Sequence, residues 1–161
     1  MDEAQRAADE LKELIEKGMN RKAIRLYDHL MGMIELERKN FSRAIEHFKQ
    51  ALILLPSQFD PDHGQALFID PLALAYYKAG DDERAREVYE RIIHLTTGRL
   101  LYGDIYAESF YMLGKIFEEK DMQRKAIEHY EKFLDLWKDA DPGIAEVTDA
   151  KKRLAELKEL S

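Results

Sequence analysis

The 161-residue sequence contains no cysteine, so neither a disulfide framework nor a thiolate metal site can be built from it. Only four prolines and eight glycines occur, too few for a proline-rich rod or a long flexible linker. No apolar run approaches the ~20 residues that a membrane-spanning helix needs. The longest apolar patch, Ala51 to Pro56, is far shorter. The opening Met1-Asp2-Glu3-Ala4-Gln5-Arg6 lacks a basic stretch followed by an apolar one, so it does not read as a secretory signal. These absences point to the cytoplasm as the expected location. Excess positive charge is missing too. Lys and Arg number 25 against 32 Asp and Glu, a net charge of −7 with no basic block. Nucleic-acid binding, which needs clustered Lys and Arg, is therefore not expected.

What is present is an apolar fraction of 45%, enough for a core, alongside 35% charged residues. The ordering of these residues has a period of 41. The segment from Ser42 to Leu52 is echoed from Glu83 to Ile93 and again from Arg124 to Leu134. Alanines fall at Ala44, Ala85 and Ala126, and aromatics at Phe48, Tyr89 and Tyr130. Upstream, Gly32, Ala73 and Gly114 keep the same spacing, as do Met31, Leu72 and Leu113. Apolar residues within each unit recur at three and four, the helical periodicity. Breaks at Lys39-Asn40, Gly80-Asp81 and Lys120-Asp121 divide each unit into two antiparallel helices joined by a tight turn. The small residue and the alanine let the two backbones approach, and the aromatic is expected to fill the space toward the next unit.

This pattern resembles the tetratricopeptide (TPR) family, whose signature is W-x2-L-G-x2-Y, then A-x3-F, then P. The third unit reads Phe110, Leu113, Gly114, Phe117, Ala126 and Tyr130. The second reads Ile69, Leu72, Ala73, Tyr76, Ala85 and Tyr89. The first reads Asp28, Met31, Gly32, Glu35, Ala44, Phe48 and Pro56, with Asp28 and Glu35 the poor matches. The family period is 34, and the surplus of seven is about two helical turns, so the helices can lengthen without losing phase. The resemblance implies an all-α fold, a right-handed solenoid of antiparallel helix pairs. The expected layout is a single domain over 1–161: a flanking helix at 1–18, repeats at 21–59, 62–100 and 103–141, and a capping helix at 142–161.

Both ends keep the period. Leu154 and Ala155 lie 41 beyond Leu113 and Gly114, so the last helix is the first half of a fourth unit. Asp141 is expected to cap it, with Pro142 in its first turn. Ala7 and Leu11 lie 41 before Phe48 and Leu52, so residues 2–17 read as a second helix ended by Gly18. Its stripe of Ala4, Ala7, Ala8, Leu11, Leu14 and Ile15 is thin. Insertions at 56–65 and 97–104 interrupt the regularity. Pro71 would fall in mid-helix, where proline costs ~3 kcal/mol, so a break near Asp70 is expected.

Catalytic and metal chemistry find little support in the sequence. His47 and His129 are two periods apart and occupy equivalent repeat positions rather than one site. Asp60-Pro61-Asp62-His63-Gly64 resembles the start of a calcium loop, yet its twelfth position is Pro71 instead of an acidic ligand. Ser42, Ser57 and Ser109 lie in no Gly-x-Ser-x-Gly elbow, and Ser42 stands where a helix cap is expected. No Walker or dinucleotide-binding glycine motif occurs. Neither catalysis nor a cofactor is expected.

The resemblance also implies a concave surface lined by the first helices. Matched position by position, it carries His29, Met33 and Leu36, then Leu74, Tyr77 and Lys78, then Tyr111, Lys115 and Glu118. Such a mixed apolar and aromatic groove suits a peptide or helix. The carboxylate clamp of some TPR domains is not supported, because His29, Asp70 and Tyr111 stand where its Lys and Asn would. The run from Phe133 to Pro142 looks like the close of TPR regions in bacterial multidomain proteins, including Ser/Thr kinases. The expected function is a non-catalytic scaffold for a protein or peptide. The alternative is a self-assembly or docking module, in which the thin first helix stacks on another copy or a parent domain.

Overall fold

The computed structural model describes residues 2–18, 20–55, 65–95, 102–141 and 143–159, and these contain helices but no strand. The helices are α1 (Asp2–Lys17), α2 (Ile24–Glu37), α3 (Phe41–Ile53), α4 (Gln65–Lys78), α5 (Asp82–Ile93), α6 (Gly103–Glu119), α7 (Gln123–Leu136) and α8 (Ala145–Glu159). A short 3₁₀ turn, Arg21–Ala23, leads into α2. The chain divides into two compact units, Met1–Val88 and Tyr89–Ser161. In the first, α1 packs on α2, α2 on α3 and α3 on α4. In the second, α6 packs on α7 and α7 on α8.

The three expected breaks share one turn geometry. Lys39, Gly80 and Asp121, each 41 apart, have φ of 62°, 78° and 55°. After each, an N–H reaches back five residues: Asn40 to Glu35, Asp81 to Tyr76, and Met122 to Phe117, at 2.8, 2.9 and 2.8 Å. The preceding N–H groups of Lys39, Gly80 and Asp121 reach back three residues. This is the Schellman arrangement, which satisfies the carbonyls left open at a helix end. It also reverses the chain within three residues, so the next helix returns along the one just finished.

Close approach within a pair rests on absent side-chain atoms. A methyl added at Gly32 would lie 2.5 Å from the Phe48 ring, and one at Gly114 would lie 2.6 Å from the Tyr130 ring. The rings of Phe48 and Tyr130 are thus seated on the glycine of their own unit. The sequence placed those rings toward the next unit, and this contact corrects that. Ala44, Ala85 and Ala126 are fully buried.

The first unit departs from the aromatic pattern by using polar pairs. Glu35 is only 4% exposed and accepts hydrogen bonds from Arg38 and Asn40, both at 2.8 Å. Those bonds, Asn40's foremost, hold its carboxyl below the ordinary value against the opposing effect of burial. Arg38 also donates to Gln5 of α1 at 3.2 Å, tying the flanking helix to the pair. Asp28 pairs with His47 at 3.3 Å.

Three local expectations are corrected. Helix α4 runs through Pro71 without the break expected near Asp70. Pro71 cannot pair the carbonyl of Leu67, and burial of Ile69, Leu72 and Ala73 on the same helix offsets that loss. Ser42 lies inside α3; Asn40 holds the cap position, with its side chain committed to Glu35. Helix α8 begins at Ala145, so Asp141 is too early to cap it. Helix α1 ends at Lys17, immediately before Gly18, as the sequence indicates. The Asp60–Gly64 loop, Pro142 and most of the 97–104 insertion lie outside the described residues.

Candidate interaction surface

In the first unit the expected surface residues sit on α2 and α4. Met33 is 38% exposed. Leu36, Leu74 and Tyr77 are half-buried, and Lys78 is exposed. They reach the surface because the helical period sends Met31, Gly32, Ile34 and Glu35 of α2, and Leu72, Ala73, Ala75 and Tyr76 of α4, into the interior. His29 behaves differently. Its ring lies 4.7 Å from Phe68 and 5.8 Å from Phe48, and its buried Nδ1 has no hydrogen-bond partner. Burial lowers its pKa, which favours the neutral ring. His29 is half-buried like Leu36, but its ring takes part in the packing between α2, α3 and α4.

In the second unit the corresponding positions are tied to the last helix. Tyr111 is only 8% exposed, with its ring 5.4 Å from Phe133, and its hydroxyl donates to Asp149 at 2.7 Å. Arg153 donates to Asp149 at 2.6 Å and to Glu118 at 3.0 Å. Glu118 also accepts from the Tyr130 hydroxyl at 2.7 Å. Lys115 is half-buried, its ammonium 5.5 Å from the centre of the Tyr111 ring. Of the three positions expected on the groove here, Tyr111 and Glu118 are thus committed to holding α8. Burial, and then the acceptor carboxylates, raise the pKa of both Tyr111 and Tyr130. Burial alone would raise Asp149, but the bonds from Tyr111 and Arg153 outweigh it and hold that carboxyl low.

Sequence reasoning missed Asp149, Arg153 and Phe68. A signal for the first two existed. Leu154 and Ala155 mark α8 as a first helix, and a first helix packs on the unit before it.

The histidines are dispersed. His47 pairs with Asp28, while His129 Nδ1 meets the Lys125 carbonyl at 2.8 Å. Among the described residues no group of three or more His, Cys, Asp or Glu could hold a metal ion, and no helix is long and apolar enough to cross a membrane.

Two tetratricopeptide-repeat family models match the chain, at residues 72–95 and 107–136. No curated protein matches it. Among solved structures it is similar to the Sgt2 TPR domain from Aspergillus fumigatus, at 22% identity and a TM-score of 0.62, over 84% of this chain and 77% of that one. It is also similar to BtubC (BKLC) from P. vanneervenii, at 21% identity and a TM-score of 0.73. That match covers 97% of this chain, which spans 63% of BtubC. At such identities the likeness concerns the fold, an all-α TPR-like helical solenoid. With its 41-residue period, its Gly–aromatic helix pairs and these matches, the chain is a tetratricopeptide-repeat protein, a fold that serves as a protein-interaction module.

Proposed function

We propose that the chain is a non-catalytic scaffold that takes a peptide or short helix from a partner protein on the inner face of its first unit. The carrying observation is the exposed and half-buried set Met33, Leu36, Leu74 and Tyr77, with Lys78 at its edge. Apolar and aromatic side chains that keep part of their surface in water gain when a ligand covers them. Methionine adapts its shape to what it meets, and tyrosine offers a large rigid contact at low entropic cost. The net charge of −7 favours a protein ligand over a nucleic-acid backbone.

The test is selection of peptides from a displayed library on the intact chain, followed by titration against variants. Tyr77→Ala and Leu74→Asp should each weaken the selected peptides at least tenfold, about 1.4 kcal/mol. Lys12→Ala, on the flanking helix α1 rather than on α2 or α4, should leave affinity unchanged. Peptides that bind both groove variants as tightly as the parent would place the site elsewhere. Tyr111 is unsuitable as a probe, because removing it also disturbs the seating of α8.

A further inference from the structure

One ring of the first unit is polar where its surroundings are apolar. His29 of α2 lies 4.7 Å from Phe68 of α4 and 5.8 Å from Phe48 of α3, with the ring planes tilted at 52° and 56°. Three helices meet at this point, and α2 packs on α4 as well as on α3. Phe48 is fully buried against Gly32, so its ring has little room to move aside. The buried Nδ1 of His29 has no hydrogen-bond partner. The charged groups of the three helices do not supply one. On α2, Asp28 turns to His47 of α3 at 3.3 Å, and Arg25 donates to the Lys22 carbonyl at 3.1 Å. On α3, Arg43 and Glu46 are exposed, and Lys49 holds its ammonium 5.7 Å from the centre of the Tyr76 ring. Helix α4 offers Asp70 and Lys78 as its charged residues. None of these groups is within hydrogen-bond distance of Nδ1.

A neutral imidazole suits this place. Its proton can sit on Nε2, which leaves Nδ1 as a bare lone pair among carbons. Protonation adds an N–H at Nδ1 with no acceptor and places a charge against two phenyl rings, a poor exchange for hydration. The rings attract a cation, but the loss of hydration on burial outweighs that and lowers the His29 pKa. We propose that His29 is an acid-sensitive latch between helices: neutral, it lets α4 close on α2 and α3, and protonated, it loosens α4. The folded value lies below the ordinary 6.5, so the unfolded chain takes up the proton first. The latch is therefore complete above pH 6.5 and is lost as pH falls through 6.5 toward the lower folded value. Leu74 and Tyr77 belong to α4, so acid also weakens capture on the interaction face. That consequence rests on the function proposed above, whereas the latch does not.

Urea unfolding of the intact chain at pH 7.5 and 5.5 tests this beside His29→Gln and His29→Leu, neither of which can take up a proton there. The wild-type midpoint should fall more between the two pH values than that of either variant. His47→Asn, which leaves His29 in place, should keep the wild-type fall. Amide exchange, corrected for its intrinsic pH dependence, should lose more protection in α4 than in α6 and α7 on acidification. Magnetic resonance of the wild-type imidazole should give His29 a titration midpoint below 6.5, a reading that needs no variant to fold. Equal falls in the wild type and both His29 variants overturn the latch, as does a His29 midpoint at or above 6.5. A fall that vanishes in His47→Asn overturns it in favour of the Asp28 pair. Peptides selected on the interaction face should bind the wild type more weakly at pH 5.5 than at 7.5. A His29 midpoint below 6.5 with capture indifferent to pH would remove α4 from that face and leave the latch standing.

Discussion

At the scale of single residues, spacing within a helix pair is set by one missing methyl group. At Gly114 an added methyl would meet the Tyr130 ring at 2.6 Å, inside van der Waals contact, and the fully buried ring has little room to retreat. Gly114→Ala should therefore lower stability by about 1–3 kcal/mol in urea unfolding, although alanine is the better helix former. A stabilised variant would contradict the packing. The turns allow the opposite change. Lys39 holds φ of 62°, a conformation costly for a residue with a side chain, whereas the equivalent Gly80 holds its own freely. Lys39→Gly should raise stability by about 0.5–1 kcal/mol, read as a higher urea midpoint at constant slope. Ala85 is fully buried, so Ala85→Asp should cost about 3 kcal/mol or more by burying an unpaired charge. An unchanged melting temperature would contradict the register that places it inside.

At the scale of elements, helix α8 is held by a polar chain running from Tyr111 through Asp149 and Arg153 to Glu118 and Tyr130. Its pH dependence has two limbs. On the acid side, the folded carboxyl pKa of Asp149 lies below the ordinary 3.8, and in the first unit that of Glu35, which ties α2 to its turn rather than holding α8, lies below 4.5. Their contribution is present above those values and is lost as pH falls through the lower folded ones. The phenol pKa values of Tyr111 and Tyr130 lie above the ordinary 10. Their contribution is complete below pH 10 and is lost as pH rises beyond it. Tyr111→Phe should cost about 1 kcal/mol and flatten the alkaline limb, while hydrogen exchange quickens in 145–159. An alkaline limb of unchanged steepness would remove Tyr111 from the network. For α4, the interior proline is a local cost that burial of Ile69, Leu72 and Ala73 offsets. Helix propensity alone predicted a break there; packing decided otherwise.

At the scale of the whole molecule, two compact units share one repeat grammar, and repeat proteins distribute stability over units and their junctions. Gly114→Ala should therefore strip hydrogen-exchange protection from α6 and α7 before α2 and α3. Uniform loss across all four would show that the chain unfolds as a single cooperative body. Much of this organisation was legible in the amino-acid order. A period of 41 can be read without coordinates, because each helix pair repeats the same demands: a small residue, an alanine, an aromatic and a turn. From it follow the turns at Lys39, Gly80 and Asp121 and the buried alanines. The surface was less legible, because exposure depends on what else folds against a helix. Position within a repeat put Tyr111 beside Met33 and Tyr77 as an equivalent. Yet Tyr111 lies under α8, hydrogen-bonded to a residue 38 positions away, and His29 lies between two phenylalanine rings. Sequence periodicity by itself determined which face of each helix turns inward, since that is a property of 3.6 residues per turn. Only the tertiary structure decided which outward faces stay in water, since that depends on contacts between segments far apart in the chain.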